Sequence, residues 1–235
     1  MTEAVYKLAL ADEYERLAPE LQDYFALAPG SGSYGIGQGV FDVVGCRQKW
    51  LRPFIALTGN EEAFFPEYGE NIPFRIENHA HVDPFGRPAL TARREIQFPS
   101  GTRLFHDTTS AVPGAGGGYR LVDHLGRYRR LVTDLEVSVT PNGRLRGVSK
   151  ASRFFLGPVR IALPAALDAK AYAEQWWDEA EGKHRIQVKV IQPQVGLVLV
   201  YAGRFDYRLA PYFGGAASGT GLPRYAEPDR WEERT

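Results

Sequence analysis

From Ser33 onward the chain is written in a period of two. Runs rich in Val, Ile, Phe, Tyr and Thr follow one another: IGQGVFDVVG, IPFRIENHAHVD, PALTARREIQF, TRLFHDTTSA, YRLVDHL, YRRLVTDLEVSV, RLRGVSKASRFF, HRIQVKVI and LVLVYAGRF. Turn signals separate them, at Pro84-Phe85-Gly86, Ser100-Gly101, Leu125-Gly126, Asn142-Gly143, Glu181-Gly182 and Gln194-Val195-Gly196. Asn142-Gly143 is the sharpest hairpin signal, because Asn-Gly accepts the positive φ angles of a two-residue turn. Short connections make sequence neighbours antiparallel. Nine or ten strands joined in this way predict a mainly β fold, an antiparallel up-and-down barrel or strongly curled sheet, lipocalin-like in architecture, since closure or curling removes exposed edges.

One segment breaks the rhythm. In DEYERLAPELQDYFAL, Leu17, Leu21, Tyr24 and Phe25 recur at helical spacing, and Pro29-Gly30 ends the pattern. This predicts one N-terminal helix packed across the sheet. AALDAKAYAEQWWDEAEGKHRI reads either as a helix over Ala165–Ala180 or as a strand YAEQWWDEA turning at Glu181-Gly182, the preferred form being a short helix or loop and then a hairpin. The Gly/Pro/Ala-rich stretch 209–235 is expected to be a tail without core contacts, mobile or draped over the barrel, so that 1–208 form a single domain.

Composition narrows the function. The chain has 235 residues, enough to bury about 70% of its unfolded surface. Its 28 basic residues match 28 acidic ones, so no net field draws in nucleic acid or an anionic membrane. With Cys46 the single cysteine, an intrachain disulfide and a cysteine-rich zinc site are excluded. The N-terminus lacks the basic and apolar regions of a signal peptide, and the apolar run VGLVLVYAG is about half a membrane span; both point to the cytoplasm.

REIQFPSGTRLFHD, LVDHLGRYRRLVTDLEVSVTPNGRLRGVS and VIQPQVGLVLVYAGRF, preceded by GVFDVVG, resemble a bacterial family of domains of unknown function, DUF4166, over roughly Leu17–Phe205. The resemblance rests on Arg94, Phe98, Asp107, Asp123, Gly126, Pro193, Gly196, Tyr201 and Gly203. It implies a β-rich fold, found alone or appended to domains such as saccharopine-dehydrogenase-like ones. It implies no reaction.

His79, His81 and Asp83 share one face of a strand, a spacing that metal-binding barrels use. A cupin-like glutamate within a few residues is missing, Glu95 lying a hairpin away. The simplest reading is a solvated outer face with Arg75 and Glu77, against which pocket lining and a metal site are the alternatives. Charges on otherwise apolar alternate sets say more. Arg94 shares a face with Leu90, Ala92, Ile96 and Phe98, and Asp123 with Tyr119, Leu121 and Leu125, while Asp107 alternates with Phe105 and Thr109. An inward charge must be paired or face a polar cavity. Arg94 with Asp107 or Asp123 is either a register-pinning ion pair or the polar anchor of an apolar pocket. Asp123 and His124 point to opposite faces and form no dyad. Gly35, Gly37 and Gly39 precede no helix and make no phosphate loop, which leaves flexibility or a bulge. The aromatic stretch from Trp50 to Phe74 suits a lid or wall.

Together these residues predict a barrel cavity holding a hydrophobic small molecule, of lipid, isoprenoid or polyketide-like class. No cofactor signature is visible, so any chemistry would be a cofactor-free cyclisation, isomerisation or elimination. The candidate catalytic residues are Arg94, Asp107 and Asp123, and the candidate ligand-binding residues Phe98, Phe105, Tyr119, Tyr201 and Trp50. The alternatives are a non-catalytic carrier or sensor of the same ligand class, and an interaction module without a cavity. The oligomeric state is not encoded in any visible pattern.

Overall fold

The computed structural model describes residues 2–56, 61–157, 159–162, 164, 168–212 and 221–234. Eleven strands form one sheet: β1 (Ser33–Gly45), β2 (Tyr68–Val82), β3 (Pro88–Phe98), β4 (Gly101–Pro113), β5 (Tyr119–Leu125), β6 (Leu131–Val139), β7 (Leu145–Leu156), β8 (Val159–Ala162), β9 (Lys170–Asp178), β10 (Lys183–Gln192) and β11 (Gly196–Pro211). Their order is β6-β5-β4-β3-β2-β1-β11-β10-β9-β7-β8, and β6 also pairs with β7. That pairing closes ten antiparallel strands into a barrel, with β8 hydrogen-bonded outside the ring to the last residues of β7. The predicted up-and-down barrel is therefore present, with β1 and β11 joining its two halves through an antiparallel seam from Ser33↔Pro211 to Gly45↔Val200.

Asn142-Gly143 does turn β6 into β7: the Thr140 amide donates to the Arg144 carbonyl at 2.9 Å, and Gly143 has φ +69°. AYAEQWWD resolves as a strand, β9, in hairpin with β10; residues 165–167 of the helical alternative lie outside the described residues. Gly35, Gly37 and Gly39 serve packing rather than a bulge. A Cβ at Gly35 would overlap the Tyr207 ring, and one at Gly37 or Gly39 would collide with Ile76 or with Phe205 and the Arg204 carbonyl. The irregularity of β1 falls later, between Phe41 and Val43.

The N-terminal helical segment is interrupted. Helix α1 (Val5–Leu10) runs into a 3-10 turn (Ala11–Arg16), and helix α2 (Pro19–Phe25) restarts with Pro19 in its first turn. Proline there lacks an N–H to continue the earlier helix but is preset for the start of a new one. The Ala18 amide instead donates to Gly143 in the β6–β7 turn at 3.0 Å, tying the break to the barrel rim. Leu10, Leu17, Leu21, Tyr24 and Phe25 join the buried core with Phe41, Phe74, Ile76, Phe105 and Phe205 of the barrel wall. α2 sits at the end where Gly35 pairs with Asn78, because Asn78 Nδ2 donates to Tyr24 Oη at 3.0 Å. At the opposite end, Gln48 Nε2 donates to the carbonyls of Val195 and Leu197 at 2.8 and 2.9 Å, next to the short helix α3 (Arg52–Ala56). No helix among the described residues is long and apolar enough to cross a membrane.

Residues after the barrel do not hang free. β11 continues to Pro211, three residues past the expected boundary of the domain. Segment 221–234 lies across the outer face of β2–β5 with Leu222 and Ala226 fully buried. The expectation of a tail without core contacts fails there, because two apolar side chains and a row of polar partners hold the segment down. Residues 213–220 of that tail lie outside the described residues.

Candidate functional site

The barrel encloses a cavity of about 730 Å³. Its wall is mostly aliphatic and aromatic, from Phe74 and Ile76 of β2, Leu135 and Val137 of β6, and Ile186 and Val188 of β10. Tyr6 of α1 and Tyr24 of α2 close one end; Leu51, Phe54 and Ile55 flank the other, where Phe54 is 64% exposed and so reaches both solvent and cavity.

The densest charged patch of that wall lies on β3, β4 and β5, while Asp168 and Glu174 line it elsewhere. Arg94 of β3 stands opposite Phe105 in register and reaches diagonally to Asp107, two residues along β4, the reach expected of long side chains on one sheet face. Arg94 Nη1 and Asp107 Oδ1 form an ion pair, and the guanidinium lies 5.0 Å from the Phe105 ring centre. Asp123 of β5 pairs with Thr109, whose hydroxyl donates to Asp123 Oδ1 at 3.2 Å. Burial, with the Asp107 charge next in size, pushes the Asp123 carboxyl up to about 8. Burial, the largest single influence, works to lower the Arg94 value, but Asp107 together with Tyr201 and Tyr24 more than offsets it and the guanidinium stays charged. Tyr201 of β11 lines the same cavity with its phenol raised to about 12, chiefly by burial. At neutral pH the patch thus presents an ion pair, a protonated carboxylic acid and phenols. It can donate to and orient an oxygen function, and Asp123 can give up or accept a proton near pH 8.

Arg94, Phe105, Asp107, Asp123 and Tyr201 are gathered on this wall, whereas three other candidates are not among its described lining. Tyr119 has the inward parity of Asp123 but stands at the hairpin tip opposite Pro113, past the rim, and is 40% exposed. Phe98 lies at the far end of β3 and packs on Phe65 with ring centres 5.6 Å apart, as core. Trp50 precedes α3 and is 57% exposed, while its neighbours Leu51, Phe54 and Ile55 supply the lining instead. Tyr6, Tyr24 and Asn78 were missed by the sequence reading. Asn78 carried a signal, a polar residue in the apolar set Phe74, Ile76, Asn78; Tyr24 was indistinguishable from helix core.

His79 and His81 do face outwards, yet they are not solvated: both are buried beneath segment 221–234. His79 Nδ1 pairs with Tyr212 Oη at 2.7 Å, and its ring stacks on Tyr34 at 5.2 Å. His81 Nε2 pairs with Thr91 Oγ1 at 3.0 Å. Among the described residues, no group of three His, Cys, Asp or Glu is placed to hold a metal ion. His106 and His124 lie on the same outer face, also buried. Burial, followed by arginine charges, holds His106 and His124 at about 3, while burial brings His81 to about 4. Glu77, receiving hydrogen bonds from His79, Arg75 and Tyr225, is lowered to about 2.

Among known proteins, the uncharacterised YndH of Bacillus subtilis (strain 168) is 24% identical over 203 residues, 86% of this chain and 96% of its own length. A structural comparison with a variant of the PpsC dehydratase domain from Mycobacterium tuberculosis gives a TM-score of 0.21 at 9% identity, covering 77% of this chain and 78% of that one. Residues 17–205, which include the whole charged patch, match the domain of unknown function DUF4166, and the chain belongs to that family.

Proposed function

We propose that the protein binds a hydrophobic small molecule in its barrel cavity, with the oxygen function of that molecule held at Arg94, Asp107 and Asp123. The observation that supports this most directly is the cavity itself: about 730 Å³ of space, apolar over most of its wall, with polar groups at the Arg94–Asp107–Asp123 patch and a second set, among them Asp168, Glu174 and Gln175, beyond it. Small-molecule sites have this composition, apolar lining for affinity and a few polar groups for orientation. A lipid, isoprenoid or polyketide-like molecule matches both parts. A chemical step that suits the patch is proton transfer without a cofactor, an isomerisation or cyclisation in which protonated Asp123 acts as the acid and Arg94 steadies developing negative charge on oxygen.

The test is native mass spectrometry of the purified protein beside the denatured sample, with organic extraction of whatever is released. An organic mass lost on denaturation, and absent from a Leu135→Trp variant that fills the cavity, supports the reading. Protein free of ligand that also fails to take up fatty acids, prenyl alcohols or aromatic polyketides overturns it. A carrier or sensor is distinguished from an enzyme by Asp123→Asn, which leaves a carrier's affinity in place and abolishes turnover in an enzyme.

A further inference from the structure

Segment 221–234 takes a second group of charges out of solvent, on the far side of the barrel wall from the cavity. Arg129, in the turn after β5, has φ +53°, a left-handed conformation disfavoured for a residue with a Cβ. Its side chain ends against Trp231, with the guanidinium 4.8 Å from the ring centre. Arg129 is 2% exposed, and none of its three guanidinium nitrogens has a hydrogen-bond partner among the described residues. The charges acting on it are Arg87 and Arg234, and Asp83 and Glu232.

Those neighbours leave it unsatisfied. Arg87 Nε donates to Asp83 Oδ2 at 2.7 Å, while both of its terminal nitrogens are buried without a partner among the described residues. Asp83 Oδ1 already accepts the amides of Phe85 and Arg87, each at 3.0 Å. Arg234 spends Nη1 on the carbonyls of Tyr128 and Arg129, at 3.0 and 2.7 Å, and Nη2 on Glu232, leaving Nε buried and unpartnered among the described residues. Arg230 Nη1 also lies 3.8 Å from Glu232 Oε1, so guanidiniums outnumber carboxylates here and positive charge is left in excess. Burying an unpaired charge and its donors costs several kcal/mol, and a backbone strained to place that charge adds to the cost.

We propose that Arg87, Arg129 and Arg234 form a binding site for one small monoanion, a carboxylate or a halide, at the seam between segment 221–234 and the barrel wall. One negative charge reduces the excess and accepts from the orphaned N–H donors. Guanidinium forks match a carboxylate's two oxygens and also surround a spherical ion with convergent N–H groups.

The experiment is thermal denaturation of the full protein at fixed ionic strength, with chloride or formate replacing bulky gluconate, beside bromide soaks of its crystals. Saturating chloride or formate is expected to raise Tm by about 5 °C, as a ligand at roughly a hundred times its Kd does for a chain of this size. Bromide is expected as an anomalous peak among the three guanidiniums, and both signals are lost in Arg129→Met. If that variant fails to fold, the wild-type peak and Tm series decide alone. Flat Tm profiles and no bromide peak overturn the proposal. So does a peak that persists unchanged in Arg129→Met, which marks an adventitious ion only.

Discussion

Asp123 gives the sharpest test of the cavity's electrostatics. Its carboxyl, ordinarily at 3.8, is raised to about 8 by burial and by Asp107. The folded protein therefore holds a proton that the unfolded chain releases above pH 4, and stability falls with rising pH across the window from about 4 to 8. From 3.8 to pH 7 is about three pH units, each worth 1.36 kcal/mol, a ceiling of about 4 kcal/mol. The effective dielectric of the folded protein screens part of this, so the loss attributable to Asp123 at pH 7 is about 2 kcal/mol. Asp123→Asn keeps the shape and the neutral form at every pH. It is accordingly expected to match the wild type near pH 4 and to exceed it by about 2 kcal/mol at pH 7 to 8, some 4–8 °C in Tm. The assay is urea denaturation of both proteins at half-unit steps from pH 4 to 8.5, read as the difference between them, because histidines and surface carboxylates cancel in that difference. A difference that is flat with pH, or that favours the wild type as pH rises, refutes the assignment of a neutral Asp123.

Asp107→Asn strips the partner from Arg94 on the cavity wall and is expected to cost about 3 kcal/mol. Adding Arg94→Met should recover part of that loss in a double-mutant cycle by urea denaturation, and strict additivity would mean that the pair does not interact. On the outer face, His81 and His106 titrate at about 4 and 3 when folded against 6.5 ordinarily. Their contribution is complete above pH 6.5 and is lost as pH falls through 6.5 towards 4, since the released state takes up protons that the packed state refuses. Limited proteolysis is expected to cut within 221–234 faster at pH 5 than at pH 7 while the barrel stays intact; equal rates would contradict it.

What the sequence could and could not reveal divides along the range of the forces involved. Alternation and turn chemistry are local, so the strands, the Asn142-Gly143 hairpin and the inward parity of Arg94, Asp107 and Asp123 were all legible before any coordinates. Parity says nothing of height along the barrel axis. Tyr119 and Phe98 share a face with Asp123 and Arg94, yet one overhangs the rim and the other packs below the cavity, because register with β4 and the position of Phe65 decide the level. Parity is equally silent about what covers an outer face. His79, His81, His106 and His124 sit on strands whose outward residues would ordinarily meet water, and the segment that covers them is more than 90 residues away in the chain. That segment reads as a tail because apolar residues in it are sparse. Leu222, Ala226 and Trp231 dock only because the barrel wall presents hydrogen-bonding rings and hydroxyls, such as His81 with Thr91, in place of hydration. The wall between β2 and β5 thus carries polar groups on both sides, neutralised inside by an ion pair and a protonated acid, and outside by His81, His106 and His124, which burial keeps uncharged. A sequence shows where such residues alternate; only the closed fold decides which of them lose water, and that loss sets their chemistry.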